Sequence, residues 1–219
     1  MTLQQYNWKE KQLSYYAPVA ESVVRYYNQT KELDEQTNFP YWAKLWPSAI
    51  ALCQFLIEHP HYIQNKTVLE LAGGLGLPSL VAALYARSVF GSDYDARAVK
   101  VMEKSAEYNG FNNLTFDVLD WHDSVRMPQA DVLLLSDINY DPKEFERLEN
   151  LIKSFIQDGS TILLSTPQRL VGRSFILKIL PFCNYSEERT ILYGAEHVPI
   201  SVYVVSQLKT SRNPLILQM

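Results

Sequence analysis

Three acidic residues, Glu70, Asp93 and Asp120, stand at the ends of successive apolar runs. The runs read TVLEL, SVFGSD and LTFDVLD, and each is typical of a β-strand. A single acid at such a place is explained by turn or helix-cap chemistry. Three in succession predict carboxylates that meet at one edge of a sheet, where they can accept hydrogen bonds from a ligand.

A glycine-rich turn follows the first of these acids. The segment LAGGLGLPSL, residues 71–80, passes from strand to helix through Gly73, Gly74 and Gly76. Glycines let a backbone approach a ligand closely, and the N–H groups that begin a helix can bind its polar atoms. Because ordinary turns also use glycine, this loop alone is a weak sign of a nucleotide site.

The charge of Glu70 separates two kinds of nucleotide ligand. A dinucleotide would place its pyrophosphate against the loop, where an acid would repel it. S-Adenosylmethionine has an adenine, a ribose and an α-amine, which suit Asp120, Asp93 and Glu70 respectively. The residues therefore favour S-adenosylmethionine over NAD(P), whose fingerprint would also place glycine where Ser79 stands.

The elements that would hold these residues follow an α/β pattern. From about residue 67, apolar runs alternate with amphipathic ones, and Val132–Leu135 is apolar without alternation, as in strands covered on both faces. We predict a Rossmann-like, seven-stranded, mostly parallel sheet with helices on both faces. One helix is expected to begin at Asp141–Pro142. The β-rich runs EERTILYG and ISVYVVSQL predict an antiparallel C-terminal hairpin joined by about seven residues.

The rest of the chain limits the class of protein. Residues 1–40 are rich in tyrosine and mixed in charge, and we predict a mostly helical N-terminal extension packed on an α/β domain of residues 41–219. The net charge of -4 lacks the basic footprint of a nucleic-acid binder, so nucleic acid is not the expected partner. No apolar run approaches the ~18 residues of a membrane span.

The cysteines and histidines predict no metal site. Cys53 and Cys183 are far apart and form no CxxC pair, so free thiols in a reducing compartment are expected. The four histidines show neither metal-ligand nor catalytic-triad spacing. Because the N-terminus has no apolar signal-like region, we expect the cytoplasm.

Five segments carry a family resemblance. PYWAKLWPSAIAL, VLELAGGLGLPSL, GSDYDARAV, VLDW and SDINYDP resemble the motifs of the class I (seven-β-strand) methyltransferases, and among them the protein lysine methyltransferases marked by a DxxY motif. The resemblance extends from Pro40 to about Ile176, two thirds of the chain. It implies a methyltransferase that uses S-adenosylmethionine and takes a protein lysine side chain as the acceptor.

The resemblance also implies roles for individual residues. Asp137 and Tyr140 form the DxxY pair and would be catalytic, Asp137 binding the acceptor amine and Tyr140 shaping its channel. Ala72 replaces the first glycine of the family loop, which is tolerated if its φ is negative. The implied cofactor site comprises Trp42, Trp46, Glu70, Ala72, Gly73, Gly74, Gly76, Asp93, Tyr94, Asp120, Trp121 and Ser136.

Other interpretations stay open at this point. A nucleobase methyltransferase would have a stiff Pro-Pro turn where Ile138 and Asn139 stand. A small-molecule N-methyltransferase could use the same cofactor site, with N-terminal tyrosines closing over the acceptor. A cofactor-binding protein without catalysis is disfavoured by the intact DxxY pair. Trp42 and Trp46 would share a face if a helix were already formed there. Gln168 and Arg169, which follow the fifth predicted strand, are weak candidates for the acceptor channel.

Overall fold

A computed structural model describes residues 1–122 and 127–207 of the chain. Within these ranges the larger sheet contains seven strands in the order β5-β4-β3-β6-β7-β9-β8. The first five in this order are parallel, whereas β9 pairs antiparallel with β7 and β8 antiparallel with β9. The strands are β3 (Thr67–Leu71), β4 (Ser88–Asp93), β5 (Leu114–Val118), β6 (Val132–Ser136), β7 (Thr161–Pro167), β8 (Cys183–Tyr193) and β9 (Glu196–Val205). This confirms the predicted fold class.

Helices cover both faces of this sheet. The covering helices are α2 (Pro47–Glu58), α3 (Leu77–Ala83), α4 (Ala96–Asn109), α5 (Phe145–Gln157) and α6 (Arg173–Ile179). The first helix, α1 (Ala20–Leu33), has no buried residue. In β6, Leu134 joins the core beneath α2 and α3, whereas Leu133 and Leu135 join the core beneath α5 and α6. Both faces of the strand are thus buried, which is why its sequence shows no alternation. None of the helices in the two described ranges is long and apolar enough to cross a bilayer.

The first seventeen residues correct the prediction of a mostly helical N-terminal segment. The segment is helical at α1, but an antiparallel hairpin precedes it, formed by β1 (Thr2–Trp8) and β2 (Lys11–Ala17). The physical reason lies in packing: Tyr6 and Leu13 pair across the hairpin and are buried in the same core as α2. Trp8 and Tyr15 pack against the same core, so the inward-facing residues of each strand are two apart, which is a strand pattern and not a helical one.

The hairpin is also hydrogen-bonded to α4. The Ser14 N–H donates to Asn109 Oδ1 at 3.1 Å, and the Tyr16 N–H donates to Ser105 Oγ at 2.9 Å. Asn109 Nδ2 in turn donates to the Ser14 carbonyl. These bonds satisfy outward-facing backbone groups of β2, so the hairpin is a packed part of the fold.

The C-terminal hairpin is tighter than expected. Only residues 194–195 join β8 to β9, in place of the predicted loop of about seven, and Gly194 supplies a φ of +62° for the turn. The polar start of β9 misled the prediction, because Glu196 and His197 are paired strand residues that face solvent. The predicted helix start is confirmed: Pro142 opens a 3-10 turn that leads into α5, and Asp141 Oδ1 accepts the Lys143 N–H at 3.0 Å.

Gly91 gives a test of the packing around the central strands. An added Cβ would lie 2.5 Å from Phe116 Cε1 and 2.9 Å from Ser79 Oγ. We expect Gly91→Ala to lower the free energy of unfolding by about 1–3 kcal/mol because the site is overpacked. Urea denaturation measures this. Gly110→Ala is the control, since its Cβ would meet nothing within 4 Å. It should lower the free energy of unfolding only by the strain of a left-handed backbone at alanine, about 1 kcal/mol. A Gly91→Ala protein as stable as wild type would contradict this packing.

Candidate active site

A cavity of about 520 Å³ opens at the carboxyl edge of the sheet. The loops that follow β3, β4 and β6 line it, together with the segment Tyr41–Trp46, which precedes α2. The strand order reverses between β3 and β6, and ligands of open α/β sheets bind at such a reversal. The volume of this cavity is in the usual range for small-molecule sites.

Another cavity, of about 730 Å³, lies at the opposite edge. Thr67, Asp131 and Ser160, which stand at the amino ends of β3, β6 and β7, contribute to its wall. His122 and Met127 also contribute to its wall. Because parallel sheets present their ligand sites at the carboxyl ends, the 520 Å³ cavity is the candidate active site.

Most of the predicted site residues line this cavity. Glu70 and Gly76 do not, because both are buried beneath the loop. The cavity brings together Trp42, Trp46, Ala72, Gly73, Gly74, Asp93, Tyr94, Asp120, Trp121, Ser136, Asp137 and Tyr140. Their positions are thus established, whereas their roles stay predictions.

The glycine loop turns through left-handed backbone. Gly74 and Gly76 have φ of +59° and +71°, and an added Cβ at Gly76 would lie 2.6 Å from Met102 Cγ. At Gly74 the Cβ would lie 3.3 Å from the Trp42 carbonyl oxygen. Ala72 has φ +51°, so the condition of a negative φ is not met and this residue stores backbone strain.

Glu70 holds the loop from below. Its Oε2 accepts hydrogen bonds from the backbone N–H of Ser79, at 2.9 Å, and from the Ser79 hydroxyl. Its Oε1 is buried without a hydrogen-bond partner among the described residues. Burial raises the pKa of Glu70 to about 8, against the hydrogen bonds from Ser79, which lower it. Glu70 therefore joins β3 to the start of α3, and its predicted contact with the cofactor stays a prediction.

Asp93 joins two loops at the cavity wall. Its Oδ2 accepts the Gly74 N–H at 2.9 Å, and its Oδ1 accepts the Asp95 N–H at 3.0 Å. Burial raises the pKa of Asp93, and these backbone hydrogen bonds oppose the rise. Tyr94, the next residue, is exposed at the cavity mouth.

Asp120 and Trp121 form the wall beyond β5. Asp120 Oδ1 accepts the backbone N–H of His122 at 2.9 Å and lies 2.7 Å from His122 Nδ1. His122 Nε2 lies 2.9 Å from Glu144 Oε2 on the far side. His122 thus links two acids at the rim, an arrangement that its position in the sequence did not reveal.

The two tryptophans reach the cavity without sharing a helix. Trp42 lies in the 3-10 turn Tyr41–Ala43, and α2 begins only at Pro47, after Trp46. Trp46 Nε1 donates to the Tyr41 carbonyl at 2.9 Å. The Tyr41 ring lies 6.1 Å from Trp46 and 5.9 Å from Tyr140, centroid to centroid. Aromatic rings therefore border the mouth from both the N-terminal segment and the DxxY corner.

Asp137 is held in a strained and charged corner. It follows β6 directly, has φ +55°, and donates its backbone N–H to the Ser165 carbonyl at 3.0 Å. Its carboxylate forms a bidentate pair with Arg169, with Nη1–Oδ1 2.7 Å and Nη2–Oδ2 3.3 Å. Burial raises the pKa of Asp137, and the positive charge of Arg169 opposes the rise. Sequence reasoning named Arg169 only as a weak candidate and did not find this pair.

Asn139 is the other residue that sequence reasoning missed. It is buried, and its Oδ1 accepts a hydrogen bond from Thr166 Oγ1 at 2.6 Å. A polar residue inside the DINY motif was the available signal.

Within the described ranges no group of three or more His, Cys, Asp or Glu side chains is placed to hold a metal ion.

The raised pKa of Glu70 predicts a pH-dependent stability. Glu70 binds its proton in the folded state up to about pH 8, whereas the unfolded carboxyl releases it near its ordinary value of about 4.3. Its contribution is therefore complete below that value and is lost as pH rises to about 8, by on the order of a few kcal/mol. We expect urea denaturation to show this slope between pH 5 and 8 for wild type and a flatter one for Glu70→Gln. Parallel slopes would contradict the buried, protonated state.

The family match agrees with this geometry. Residues 28–180 match the family described as lysine methyltransferase. The rat electron transfer flavoprotein beta subunit lysine methyltransferase is 29% identical over 135 residues, which cover 59% of this chain and 51% of that protein. The human histone-arginine methyltransferase METTL23 is 31% identical over 108 residues, covering 47% of this chain and 57% of the relative.

Solved structures share the fold at low identity. The putative RNA methyltransferase PH1948 from Pyrococcus horikoshii superposes with a TM-score of 0.58 at 17% identity, covering 73% of this chain and 83% of that one. Such a likeness establishes the fold alone. The chain matches only about half the length of the two relatives above. Since the family match spans well over half of the chain, this protein belongs to the lysine methyltransferase family.

Proposed function

We propose that this chain is a methyltransferase that transfers a methyl group from S-adenosylmethionine to a lysine side-chain amine of a protein. One observation carries the proposal: the glycine loop with Asp93 and the Asp137–Tyr140 corner line the same 520 Å³ cavity. A donor held by the first would therefore lie beside an acceptor held by the second. Enzymes of this kind act mainly by aligning the two reactants.

The wall beneath the loop suits the cofactor that this family implies. Gly73 and Gly74 expose backbone, and each oxygen of Asp93 uses one lone pair on a backbone N–H and keeps another for a ribose hydroxyl. Asp120 and Trp121 would receive the adenine. When bound, S-adenosylmethionine supplies a methyl group on a cationic sulfonium.

The mouth of the cavity suits a cation and a long acceptor. Trp42 and Trp46 would attract the sulfonium by cation–π interaction of about 1 kcal/mol. Ala72, Tyr94 and Ser136 would complete the cofactor wall by their position in it. Glu70 and Gly76 would support the site from below, by fixing the loop.

Asp137 would receive the acceptor. A carboxylate accepts an N–H of a neutral amine and thereby orients its lone pair, while Tyr140, about half exposed, borders the entrance with Tyr41. A lysine of ordinary pKa, ~10.4, has only about one molecule in 2,500 neutral at pH 7. Nearby positive charge and burial both lower that pKa. The site must therefore favour the neutral amine.

Two features support a protein acceptor. The entrance is open and bordered by exposed tyrosines, so a side chain that projects from another surface can enter. Both relatives above carry names that specify protein acceptors, one lysine and one arginine. An acidic chain of net charge -4 is a poor match for nucleic acid.

The free thiols Cys53 and Cys183 support the cytoplasm as the location.

Two substitutions should separate cofactor binding from turnover. We expect Asp137→Ala to abolish methyl transfer while affinity for S-adenosylmethionine stays within a few fold, because Asp137 serves the acceptor. Asp93→Asn should weaken that affinity about 10–100-fold, because it loses a charged hydrogen-bond acceptor. Calorimetry with S-adenosylmethionine measures the affinity of both variants, and transfer of a labelled methyl group measures their turnover. If Asp137→Ala lost affinity as severely as Asp93→Asn, Asp137 would be a cofactor residue and the assignment would be wrong.

The acceptor class is tested by labelling. The purified protein is incubated with S-adenosylmethionine labelled in its methyl group and with a cell lysate. We expect a labelled protein band whose acid hydrolysate contains methyl-lysine, with none for Asp137→Ala. Methyl-arginine would replace the lysine assignment. Label in the small-molecule fraction alone would indicate a metabolite acceptor, and no transfer at all would favour a cofactor-binding role.

A further inference from the structure

We propose that Arg169 is a positioning residue of the methyl-transfer site, which fixes the Asp137 carboxylate and makes the corner accept the acceptor amine in its neutral form. This inference rests on the proposed function and extends it to a residue outside the DxxY motif. It gives the site a means of selecting the nucleophilic form of lysine.

The contact itself has a defined geometry. Two guanidinium nitrogens of Arg169 face the two carboxylate oxygens of Asp137, at 2.7 and 3.3 Å. The Asp137 side chain is 9% exposed and that of Arg169 is 38% exposed, so the pair is shielded on the carboxylate side and open on the other. A bidentate arginine fork fixes the plane of a carboxylate, which a lysine would not do.

The loop that carries Arg169 is seated on the Asp137 corner. An added Cβ at Gly172 would lie 2.7 Å from Asn139 Nδ2 and 3.4 Å from the Asn139 carbonyl oxygen, so the two segments are in close contact. Thr166 Oγ1 donates to Asn139 Oδ1 from the end of β7. On the other side, Gln168 Nε2 donates to Glu188 Oε1 at 2.7 Å. Contacts on both sides of Arg169 thus hold its backbone in place.

The charges of the pair decide which form of the amine is stabilised. An isolated Asp137 carboxylate would attract an ammonium and raise its pKa, which disfavours the nucleophile. Arg169 cancels most of that attraction yet leaves each carboxylate oxygen a lone pair for an amine N–H. Its charge also opposes protonation of Asp137 itself, whose pKa burial raises. In the transfer the amine lone pair forms the N–C bond while the C–S electron pair stays on sulfur.

Other charged and titratable side chains surround this corner. They come from the ends of β4 and β5, from the segment after β6 and from the N-terminal wall, and they are Asp93, Tyr94, Asp120, His122, Tyr140, Asp141, Glu144, Tyr41 and Lys44. All of them remain in a variant of Arg169 alone. A comparison of such variants therefore isolates the contribution of the guanidinium.

The test compares the pH dependence of Arg169→Met, Arg169→Lys and wild type in the lysate labelling assay at pH 7.0 and 9.5. We expect Arg169→Met to label about tenfold less than wild type at pH 7.0 and within about threefold at pH 9.5, since one unit in the amine pKa is a tenfold change. Arg169→Lys, which keeps the charge, should lose less at pH 7.0 than Arg169→Met. Arg173→Met is the control, because it removes an exposed arginine four residues away and should follow wild type.

A second measurement does not depend on turnover. The probe is Nα-acetyl-Nε-methyl-lysine with ¹³C in its methyl group, bound to protein saturated with S-adenosylhomocysteine. Its ¹³C shift against pH reports the amine pKa, which we expect to be at least one unit higher with Arg169→Met or Arg169→Gln than with wild type. Two variants are used so that a folding defect in one leaves the comparison intact.

The outcomes separate this inference from the proposed function. An equal amine pKa in wild type and both variants, or faster labelling by Arg169→Met at pH 7.0, would overturn the role of Arg169, the latter by showing that the pair blocks the site. No labelled band from wild type at either pH would overturn the proposed function, and the ¹³C titration would still decide whether Arg169 controls the charge of a bound amine.

Discussion

The carboxylate of Asp93 is the interaction on which the candidate site depends. One oxygen accepts the Gly74 N–H and the other accepts the Asp95 N–H, so a single side chain joins the loops that follow β3 and β4. The parallel arrangement of these strands puts both loops at the same edge of the sheet. Together with the bond from the Gly73 N–H to the Ser92 carbonyl, this bridge holds the glycine loop against the wall in which a ribose would lie.

Charge and backbone strain are concentrated around this bridge. Glu70 is buried below the loop, and the Asp137 side chain, directly after β6, is 9% exposed, so three acids lie close to one cavity with pKa values raised by burial. Ala72 and Asp137 both adopt left-handed backbone that only glycine adopts at low cost. Such strain persists where the surrounding structure fixes it, and it is concentrated at functional sites.

The sequence predicted the sheet and the cavity wall because both follow from local patterns. Apolar runs without alternation predicted strands covered on both faces, and the acids at their ends predicted residues at one edge. The N-terminal hairpin was missed because its inward-facing residues Tyr6 and Leu13 gain their burial from a core whose other members are distant in sequence. The burial of Glu70 and its bond to Ser79 likewise depend on how tightly the loop folds back.

The pairing of Asp137 with Arg169 could not be predicted from any pattern in the sequence. The two residues are 32 positions apart, and the loop that carries Arg169 also approaches Asn139 closely at Gly172. No periodicity or motif spacing encodes such an approach. It arises from the neighbouring positions of β6 and β7 in the sheet, which place the two following loops side by side.

The glycine loop with Asp93 and the Asp137–Tyr140 corner should belong to one ligand site. Hydrogen exchange with and without S-adenosylhomocysteine measures whether one ligand protects both. The account predicts slower exchange in three segments together: residues 72–76, residues 93–95 and residues 136–140. Slower exchange confined to residues that line the other cavity, of about 730 Å³, would contradict a single ligand site at the carboxyl edge. Unchanged exchange in the three segments at saturating ligand would also contradict it.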